Sequence, residues 1–352
     1  KVSDKLNISA PKPREKRPFA QALFCIDTRS ERIRRHLESV GDYQTFGIAG
    51  FFGVPVSFMA LGKGSETHLC PVLLTPKNLV TEISSASHYS EATLSALEHA
   101  MHELKESVLT PFVTVEAIGL LFGFDMVGKT IAPQNYTRWR KRLSAEKPAT
   151  RLLLDKLDRE QADSIVRAVQ RAMIVAAIEQ QFGVEPGQVT DDMIRELREN
   201  ALGNQSGTTM LAESLQLDEK QERDFIQRLR HDYRINRPYA QRQMERLGRI
   251  GFTIEEQTMF VGLALRAIGL ISGFSRFVLL VGHGSTSENN PFESALDCGA
   301  CGGSHGLVNA RVLAQMANKL EVRRRLSLEA IDIPDDTTFV PAFHNTTTDE
   351  IR

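Results

Sequence analysis

Cysteine is scarce in this sequence of 352 residues, which contains only Cys25, Cys70, Cys298 and Cys301. Four cysteines are too few to form a disulfide framework that stabilises a chain of this size, and no secretory signal peptide precedes them. We therefore expect a reducing, cytoplasmic setting, in which the thiols are available to bind a metal ion.

Long hydrophobic runs are also missing. The most apolar stretch, residues 258–282, is interrupted by Arg266, Arg276 and several glycines. Its uncharged runs are shorter than the ~20 residues that a membrane-spanning helix needs. The sequence therefore predicts that any association with a membrane goes through a partner.

An excess of charge of one sign is absent as well, since 43 Lys and Arg residues balance 44 Asp and Glu residues. Basic clusters at residues 32–35 and 323–325 fall at helix-like places, which is typical of solvated helix faces. We expect no nucleic-acid partner. The chain begins with Lys1 rather than Met, which predicts a fragment of a longer protein.

The composition is that of a globular chain. With 41% hydrophobic and 25% charged residues, it can form one large core or two smaller ones. Residues 1–18, rich in Lys, Pro and Arg, are predicted to be an extended arm or linker. Residues 19–89 and 274–352 show strand-turn-helix patterns, whereas residues 90–273 show helical periodicity. The predicted fold class is α/β, with a mostly parallel sheet built from both chain ends and a large helical insertion.

Individual elements follow from the same patterns. The sequence predicts strands over residues 20–27, 277–282 and 337–344 and a helix over residues 307–326. After the first strand, Ile33 and Leu37 fall on one face of a predicted helix. In the helical region, Thr253 and Glu256 have the spacing of a capping box.

Side chains that bind soft metals follow two of these strands. Cys25 and Asp27 lie on the first strand, and because strand side chains alternate, we expect both to point to one face, about 7 Å apart. His283 follows the second strand between two glycines, and Cys298 lies in the Gly-rich loop before the next helix. Because the C-terminal ends of parallel strands meet at one sheet edge, we expect these residues to converge on a zinc-sized site.

Three of these residues also have plainer interpretations. Cys25 alone is typical of a small core residue, and His283 of a turn histidine bonded to a carbonyl. Cys298 and Cys301 form a single CxxC, a pattern compatible with half of a zinc ribbon or with a redox pair. Spacing alone leaves these alternatives open.

Asp27 has the strongest need for a partner. An ionised carboxylate beside Phe24 and Ile26 costs several kcal/mol if it is unpaired. A metal ion, a helix N-terminus or Arg29, two residues further on, can supply that partner. The carboxylate therefore favours a functional site at this strand end.

The motif Cys-x-Asp-x-Arg at residues 25–29, joined to a later His and Cys, is similar to the zinc site of β-type carbonic anhydrases. In those enzymes the His and Cys are separated by two residues, whereas here they are fifteen apart. The segments 24–31, 282–291 and 295–303 together closely resemble the DabA family, the soluble subunit of the DAB inorganic-carbon accumulation complex. The motifs cover both ends of this chain, and DabA proteins are considerably longer than it.

The resemblance implies a β-carbonic-anhydrase-like core and Zn²⁺ as the cofactor. It implies zinc ligands at Cys25, His283 and Cys298, with Asp27 as the fourth ligand or the gate and Arg29 completing a catalytic dyad. Three protein ligands and an exchangeable position are typical of catalytic zinc. Because two thiolates weaken zinc as a Lewis acid, Asp27 and Arg29 would orient or activate the water.

The resemblance also implies a function. A DabA-like subunit would carry out zinc-dependent, one-way hydration of CO2 to bicarbonate, coupled to a cation gradient through a DabB-like membrane subunit. It would lie on the cytoplasmic side of the membrane, attached through that partner. One-way hydration requires a site that stays shut until the partner opens it, and Asp27 as an inner ligand would be such a shutter.

Three alternatives remain open. A stand-alone β-type carbonic anhydrase would hydrate CO2 without membrane coupling. A structural zinc site, with Cys301 or His305 replacing Asp27, would make the chain an interaction module. A thiol redox protein would use Cys298 and Cys301 as its reactive pair.

Other candidate residues are given lesser roles. Cys70, before a proline, is expected in the core. His99 and His102 are expected on a solvated helix face. His344 lies on the final predicted strand, where it can approach the edge of the site.

Overall fold

The computed structural model describes residues 16–26, 28–61, 65–84, 126–128, 130–132, 135–136, 150–205, 207–286 and 297–352. The chain divides into two compact units, one of Lys1–Phe58, His68–Lys77 and Phe252–Arg352 and one of Met59–Thr67 and Asn78–Gly251. The predicted arm, α/β core and helical insertion stay a prediction. His99 and His102 lie outside the described residues.

Nine strands occur in the described ranges. They are β1 (Ala20–Cys25), β2 (Tyr43–Ile48), β3 (Val56–Met59), β4 (Thr67–Leu69), β5 (Leu79–Ser84), β6 (Thr150–Leu153), β7 (Phe277–Gly284), β8 (Thr338–Asn345) and β9 (Glu350–Ile351). The longer α-helices are α1 (Thr28–Val40), α2 (Arg159–Phe182), α3 (Asp191–Leu202), α4 (Met210–Leu215), α5 (Glu219–His231), α6 (Arg237–Leu247), α7 (Ile254–Ala267), α8 (Leu307–Ala317) and α9 (Leu320–Leu328).

The first unit contains a five-stranded sheet with the order β2-β1-β7-β8-β9. β1 is parallel to both β2 and β7, β7 is parallel to β8, and β9 alone is antiparallel to its neighbour β8. Leu23 of β1 pairs with Leu280 of β7, although the two residues are far apart in sequence. The pairing confirms that both ends of the chain build one mostly parallel sheet.

The sheet is buried on both faces, as parallel strands require. Phe24 and Val281 pack in one apolar cluster with Ile33 and Leu37 of α1, which are the residues predicted to share a helix face. On the remaining strand positions, Leu23, Val278 and Leu280 are fully buried. β1 and β7 are therefore fixed side by side along their length, and so are the residues at their C-terminal ends.

The sequence predicts one helix over residues 307–326, whereas the structure has two helices there, α8 and α9. The prediction of a single continuous helix was therefore wrong. The break falls at Asn318, the C-terminal cap of α8, and Lys319, whose backbone is extended. The Asn318 side chain donates to the Phe339 carbonyl at 2.8 Å and accepts from the Phe339 N–H at 3.0 Å. These two hydrogen bonds tie the end of α8 to β8, and the Arg323 side chain donates to the Ala317 carbonyl at 2.8 Å, at the end of α8.

Capping residues set several helix starts. Thr253 and Glu256 form the predicted capping box at the start of α7. In the second unit, Asp158 and Asp218 form equivalent boxes at the starts of α2 and α5. Each box satisfies two backbone N–H groups that the first turn of a helix otherwise leaves without a partner.

The second unit has a helical core. Ile174 and Ile178 of α2 pack with Leu197 of α3 and with Phe225 and Leu229 of α5, all of them fully or almost fully buried. The strands β5 and β6 of this unit pair antiparallel. None of the helices in the described ranges is long and apolar enough to span a membrane.

Asn309 of α8 ties the helix to the loop before β3 and to the last residue of β4. Its amide donates to the Val54 carbonyl at 2.8 Å and to the Leu69 carbonyl at 2.9 Å, and the side chain is 1% exposed. We expect Asn309→Ala to lower the free energy of unfolding by about 2 kcal/mol or more, because two buried carbonyls lose their donor. Urea denaturation measures the loss.

The exposed Gln241 of α6, which contacts Glu245 at 3.3 Å, offers a control. Gln241→Ala should change the free energy of unfolding by less than about 0.5 kcal/mol. Equal denaturation midpoints for the two variants would contradict the role given to Asn309.

Candidate metal centre

Three predicted ligands lie together at one edge of the five-stranded sheet. Cys25 is the last residue of β1, His283 lies near the end of β7, and Cys298 immediately precedes a 3₁₀ turn, Gly299–Cys301. Their ligand atoms all lie within 4.8 Å of one another. The Sγ atoms of Cys25 and Cys298 are 3.6 Å apart, and both cysteines are free thiols. This cluster can bind a metal ion.

Burial and donor chemistry suit a soft metal. Cys25 and His283 are 2% and 1% exposed, and Cys298 is partly buried. Two sulfur donors and one imidazole nitrogen form a set typical of zinc. A buried ion of this kind is held by deprotonated thiols, which lose their charge repulsion only when the cation is between them.

Gly50, in the loop after β2, packs closely against two of the ligands. A Cβ atom built on Gly50 would lie 2.3 Å from His283 Nε2 and 2.9 Å from Cys25 Sγ. Real Cβ atoms do not approach other atoms so closely, so no residue with a side chain fits here unless a ligand moves. A glycine at this position therefore lets His283 and Cys25 keep their places, and the three soft donors that remain close together fit a bound metal.

Two further glycines let backbone segments approach His283. A Cβ on Gly282 would lie 2.6 Å from the Gly306 carbonyl group, and a Cβ on Gly306 would lie 2.5 Å from the Gly50 carbonyl oxygen. The Gly306 N–H donates to the His283 carbonyl at 2.8 Å. The start of α8, the loop after β2 and β7 thus meet backbone to backbone around the histidine.

Asp297 anchors the loop that carries Cys298. Its carboxylate accepts from the Ser285 N–H at 2.6 Å and lies 3.3 Å from His305 Nε2. Burial raises the pKa of the Asp297 carboxyl, but His305 and the Ser285 N–H outweigh that effect and hold the pKa below its ordinary value. The carboxylate therefore stays ionised and joins the Cys298 loop to the end of β7.

Cys301, the second cysteine of the CxxC, lies beside the ligand cluster. Its Sγ is 3.4 Å from His283 Nε2, and the residue is 3% exposed. Burial raises the pKa of the Cys301 thiol to about 12, and the negative charge of Cys298 adds to the shift. Cys70 is buried, as predicted, and its thiol donates to the Leu74 carbonyl at 3.4 Å.

The proposed dyad is described only in part, because Asp27 lies outside the described residues. Arg29 is exposed in the first turn of α1, and its Nη1 donates to the Thr346 carbonyl at 3.1 Å. Whether Asp27 faces the same way as Cys25 stays a prediction.

His344 lies next to the site, as its place on the final strand indicated. It pairs in register with His283 across β7 and β8 and is fully buried. Its Nδ1 lies 3.4 Å from the Ser30 hydroxyl, and its Nε2 lies 3.4 Å from an Asp349 carboxylate oxygen. These contacts connect β8 with α1 and with the turn before β9, and they direct the ring nitrogens toward groups other than the three ligands.

The sequence interpretation missed Gly50 and Gly306. Each looks like an ordinary loop glycine, and the requirement for a missing side chain appears only when three distant backbone segments are brought together. The one available signal was the position of Gly306, between His305 and the start of a predicted helix, where a close backbone approach is common.

The fold and the ligand cluster define an α/β protein with a candidate metal centre of two cysteines and one histidine. The model of a family described as "Probable inorganic carbon transporter subunit DabA" matches residues 1–352. The chain therefore belongs to the DabA family.

Relatives carry the same description. The chain is 66% identical to a probable inorganic carbon transporter subunit DabA of Thiobacillus denitrificans, over 99% of the chain and 33% of the relative. It is 62% identical to the DabA1 subunit of Halothiobacillus neapolitanus, over 99% of the chain and 34% of the relative. Identity to the DabA of Aquifex aeolicus is 47%, over 96% of the chain and 33% of the relative. The chain spans about a third of the length of these curated relatives, and no solved structure matches it.

Gly50 provides a direct test of the metal centre. We expect Gly50→Ala to abolish stoichiometric metal binding, because the new methyl group would overlap His283 Nε2 and Cys25 Sγ. Inductively coupled plasma mass spectrometry of the purified protein measures the metal content. Gly187→Ala is the matched control, since a Cβ there meets nothing within 4 Å. Full metal content in Gly50→Ala would contradict the role given to Gly50.

Asp297 provides a test of the support around the ligands. We expect Asp297→Ala to weaken metal binding by about 10–100-fold, the range typical of groups that hold metal ligands in place. Competition with a chromophoric chelator measures the affinity. The control is Asp336→Ala, which removes an exposed carboxylate paired with Arg17. An unchanged affinity in Asp297→Ala would show that the loop holds Cys298 without this anchor.

Proposed function

We propose that this chain is the metal-binding part of a subunit for energy-coupled uptake of inorganic carbon, in which CO2 is hydrated one way to bicarbonate. The observation that carries the proposal is the convergence of Cys25, His283 and Cys298 at one sheet edge in a member of the DabA family. The relatives are named as subunits of inorganic carbon transporters, and the ligand set is suited to hydration chemistry.

The proposed cofactor is Zn²⁺, held by Cys25, His283 and Cys298. When bound, zinc would supply the Lewis acidity that makes water reactive toward CO2 at neutral pH. Buried thiolates place two negative charges beside the ion and reduce that acidity. Other residues of the chain must therefore orient the reacting water or accept its proton.

We assign that help to Asp27 and Arg29. Asp27 follows Cys25 by two residues, and a carboxylate at this position can accept a proton from water or occupy the fourth ligand position. Arg29 is suited to hold the carboxylate away from the metal in the open state, because guanidinium binds carboxylate in two-point geometry. Its contact with the Thr346 carbonyl keeps the guanidinium near the C-terminal end of β8.

The proposed core is β-carbonic-anhydrase-like. Support comes from the parallel strands β2, β1, β7 and β8 and from ligands at the C-terminal ends of β1 and β7. Ligand sites at this edge are the general rule for open parallel sheets.

The proposed partner is a DabB-like, cation-translocating membrane subunit, which would hold this protein on the cytoplasmic side of the membrane. Hydration that only approaches equilibrium cannot accumulate bicarbonate, so the site must be shut unless the partner opens it. Coupling to a cation gradient gives the direction. The described helices provide no membrane span, and the family name speaks of one subunit among others.

The test uses the full-length subunit, alone and in complex with its membrane partner. We expect slow CO2 hydration by the isolated subunit in stopped-flow measurements and growth in air of a CO2-requiring bacterial strain that carries the complex. Asp27→Ala and Cys25→Ala should abolish growth, and Asp27→Ala should lower hydration by the complex by about a hundredfold or more. Asp336→Ala should leave both readouts unchanged.

Two results would overturn the proposal. Fast hydration by the isolated subunit would show that the site is open without the partner and would indicate a stand-alone β-type carbonic anhydrase. Growth and zinc content that survive Asp27→Ala unchanged would indicate a structural zinc site in an interaction module.

A further inference from the structure

One more potential ligand, which the family resemblance did not assign, lies beside the three-residue cluster at the sheet edge. Cys301 Sγ lies 3.4 Å from His283 Nε2, in the interior of the first unit. The same nitrogen is the one that a Cβ on Gly50 would meet at 2.3 Å, beside Cys25 Sγ. His283 Nε2 thus points toward Cys25 on one side and Cys301 on another.

Two of the observed distances match those between ligands of one tetrahedral ion, whereas Cys301 lies outside the group of three ligand atoms that are all within 4.8 Å of one another. The Cys301 sulfur must therefore shift to complete a four-ligand site. With zinc–sulfur bonds of about 2.3 Å and zinc–nitrogen bonds of about 2.05 Å, tetrahedral angles place S and N about 3.6 Å apart and two S atoms about 3.8 Å apart. The observed separations are 3.4 Å for Cys301 Sγ to His283 Nε2 and 3.6 Å for Cys25 Sγ to Cys298 Sγ.

The backbone between the two CxxC cysteines forms a tight turn. The Cys301 and Gly303 N–H groups both donate to the Cys298 carbonyl, at 3.0 and 3.2 Å. Gly302 and Gly303 have φ values of 64° and 74°, a left-handed conformation that favours glycine. The turn brings the Cys298 and Cys301 thiols within hydrogen-bonding distance of each other, and zinc sites of the Cys3His type commonly take two sulfurs from such a pair.

We propose that Cys301 is a displaceable fourth ligand that closes the metal centre, so that the resting site is Cys25, Cys298, Cys301 and His283. This inference rests on the proposed function, because it treats the three-ligand cluster as a zinc site. Opening is a ligand exchange: the Cys301 thiolate leaves with its electron pair, and a water molecule donates a pair in its place. No oxidant or reductant is required.

With Cys301 as the ligand that closes the site, Asp27 has a different role. It orients and deprotonates the entering water. A closed site with three thiolates binds zinc tightly and excludes water, which is the property that a gated hydration reaction needs. The partner would then act on the 3₁₀ turn that carries Cys301.

The experiment counts thiolates on the bound metal. X-ray absorption at the zinc edge of the full-length subunit should report three sulfurs and one nitrogen, and Cys301→Ser should report two sulfurs. Replacing zinc with Co²⁺ gives an independent count, because the thiolate-to-cobalt absorption should fall by about a third in Cys301→Ser, the ratio of two thiolates to three. Cys70→Ser is the matched control, since Cys70 is buried nearby and its thiol contacts the Leu74 carbonyl; it should retain three sulfurs.

Two sulfurs in the wild-type subunit would overturn the inference, and this result needs no variant to fold. It would leave the proposed function intact, because Cys25, Cys298 and His283 would still hold the ion. A subunit without bound metal would overturn both proposals.

Hydration by the isolated subunit gives a second readout. Cys301→Ser should raise CO2 hydration above the wild-type level, because the closing ligand is lost while the three remaining ligands persist. Unchanged or lower hydration, in a variant that retains zinc, would contradict the role of Cys301 as a shutter.

Discussion

The site depends on the close approach of three backbone segments that lack side chains at the point of contact. Gly282 of β7 packs on Gly306, Gly306 packs on the Gly50 carbonyl, and Gly50 faces His283 Nε2. A methyl group at any of these positions would force the neighbouring segment or side chain to move, since each Cβ would lie within 2.6 Å of one of its atoms. Because the approach is made by backbone, the geometry around His283 is set by the fold itself.

The sheet supplies the other half of the constraint. β1 and β7 are adjacent and parallel, and their apolar side chains are buried on both faces, so neither strand can slide without exposing its core residues. Cys25 and His283 are thereby fixed at one edge. Cys298 comes from a loop, and its position depends on Asp297, which binds the Ser285 N–H just after β7. Two ligands on rigid strands and one on an anchored loop are suited to a centre that holds its metal while one position changes.

Much of this arrangement could be predicted from the sequence. The strand pairing of the two chain ends, the packing of Ile33 and Leu37 and the capping box at Thr253 follow from local patterns of apolar and polar residues. The break between α8 and α9 could not be predicted, because Asn318 ends the helix by bonding to Phe339, a partner that only the tertiary fold provides. Gly50 was missed for the same reason. A glycine that is required by a close approach has no local signature when its neighbour comes from elsewhere in the chain.

We propose that Cys25, His283 and Cys298 bind one zinc ion at the edge of the five-stranded sheet. The most direct measurement is an anomalous difference map, recorded on both sides of the zinc absorption edge, from crystals of the full-length subunit. We expect one strong peak, bounded by the Sγ atoms of Cys25 and Cys298 and Nε2 of His283. A zinc peak elsewhere, or a disulfide between Cys25 and Cys298, would contradict it.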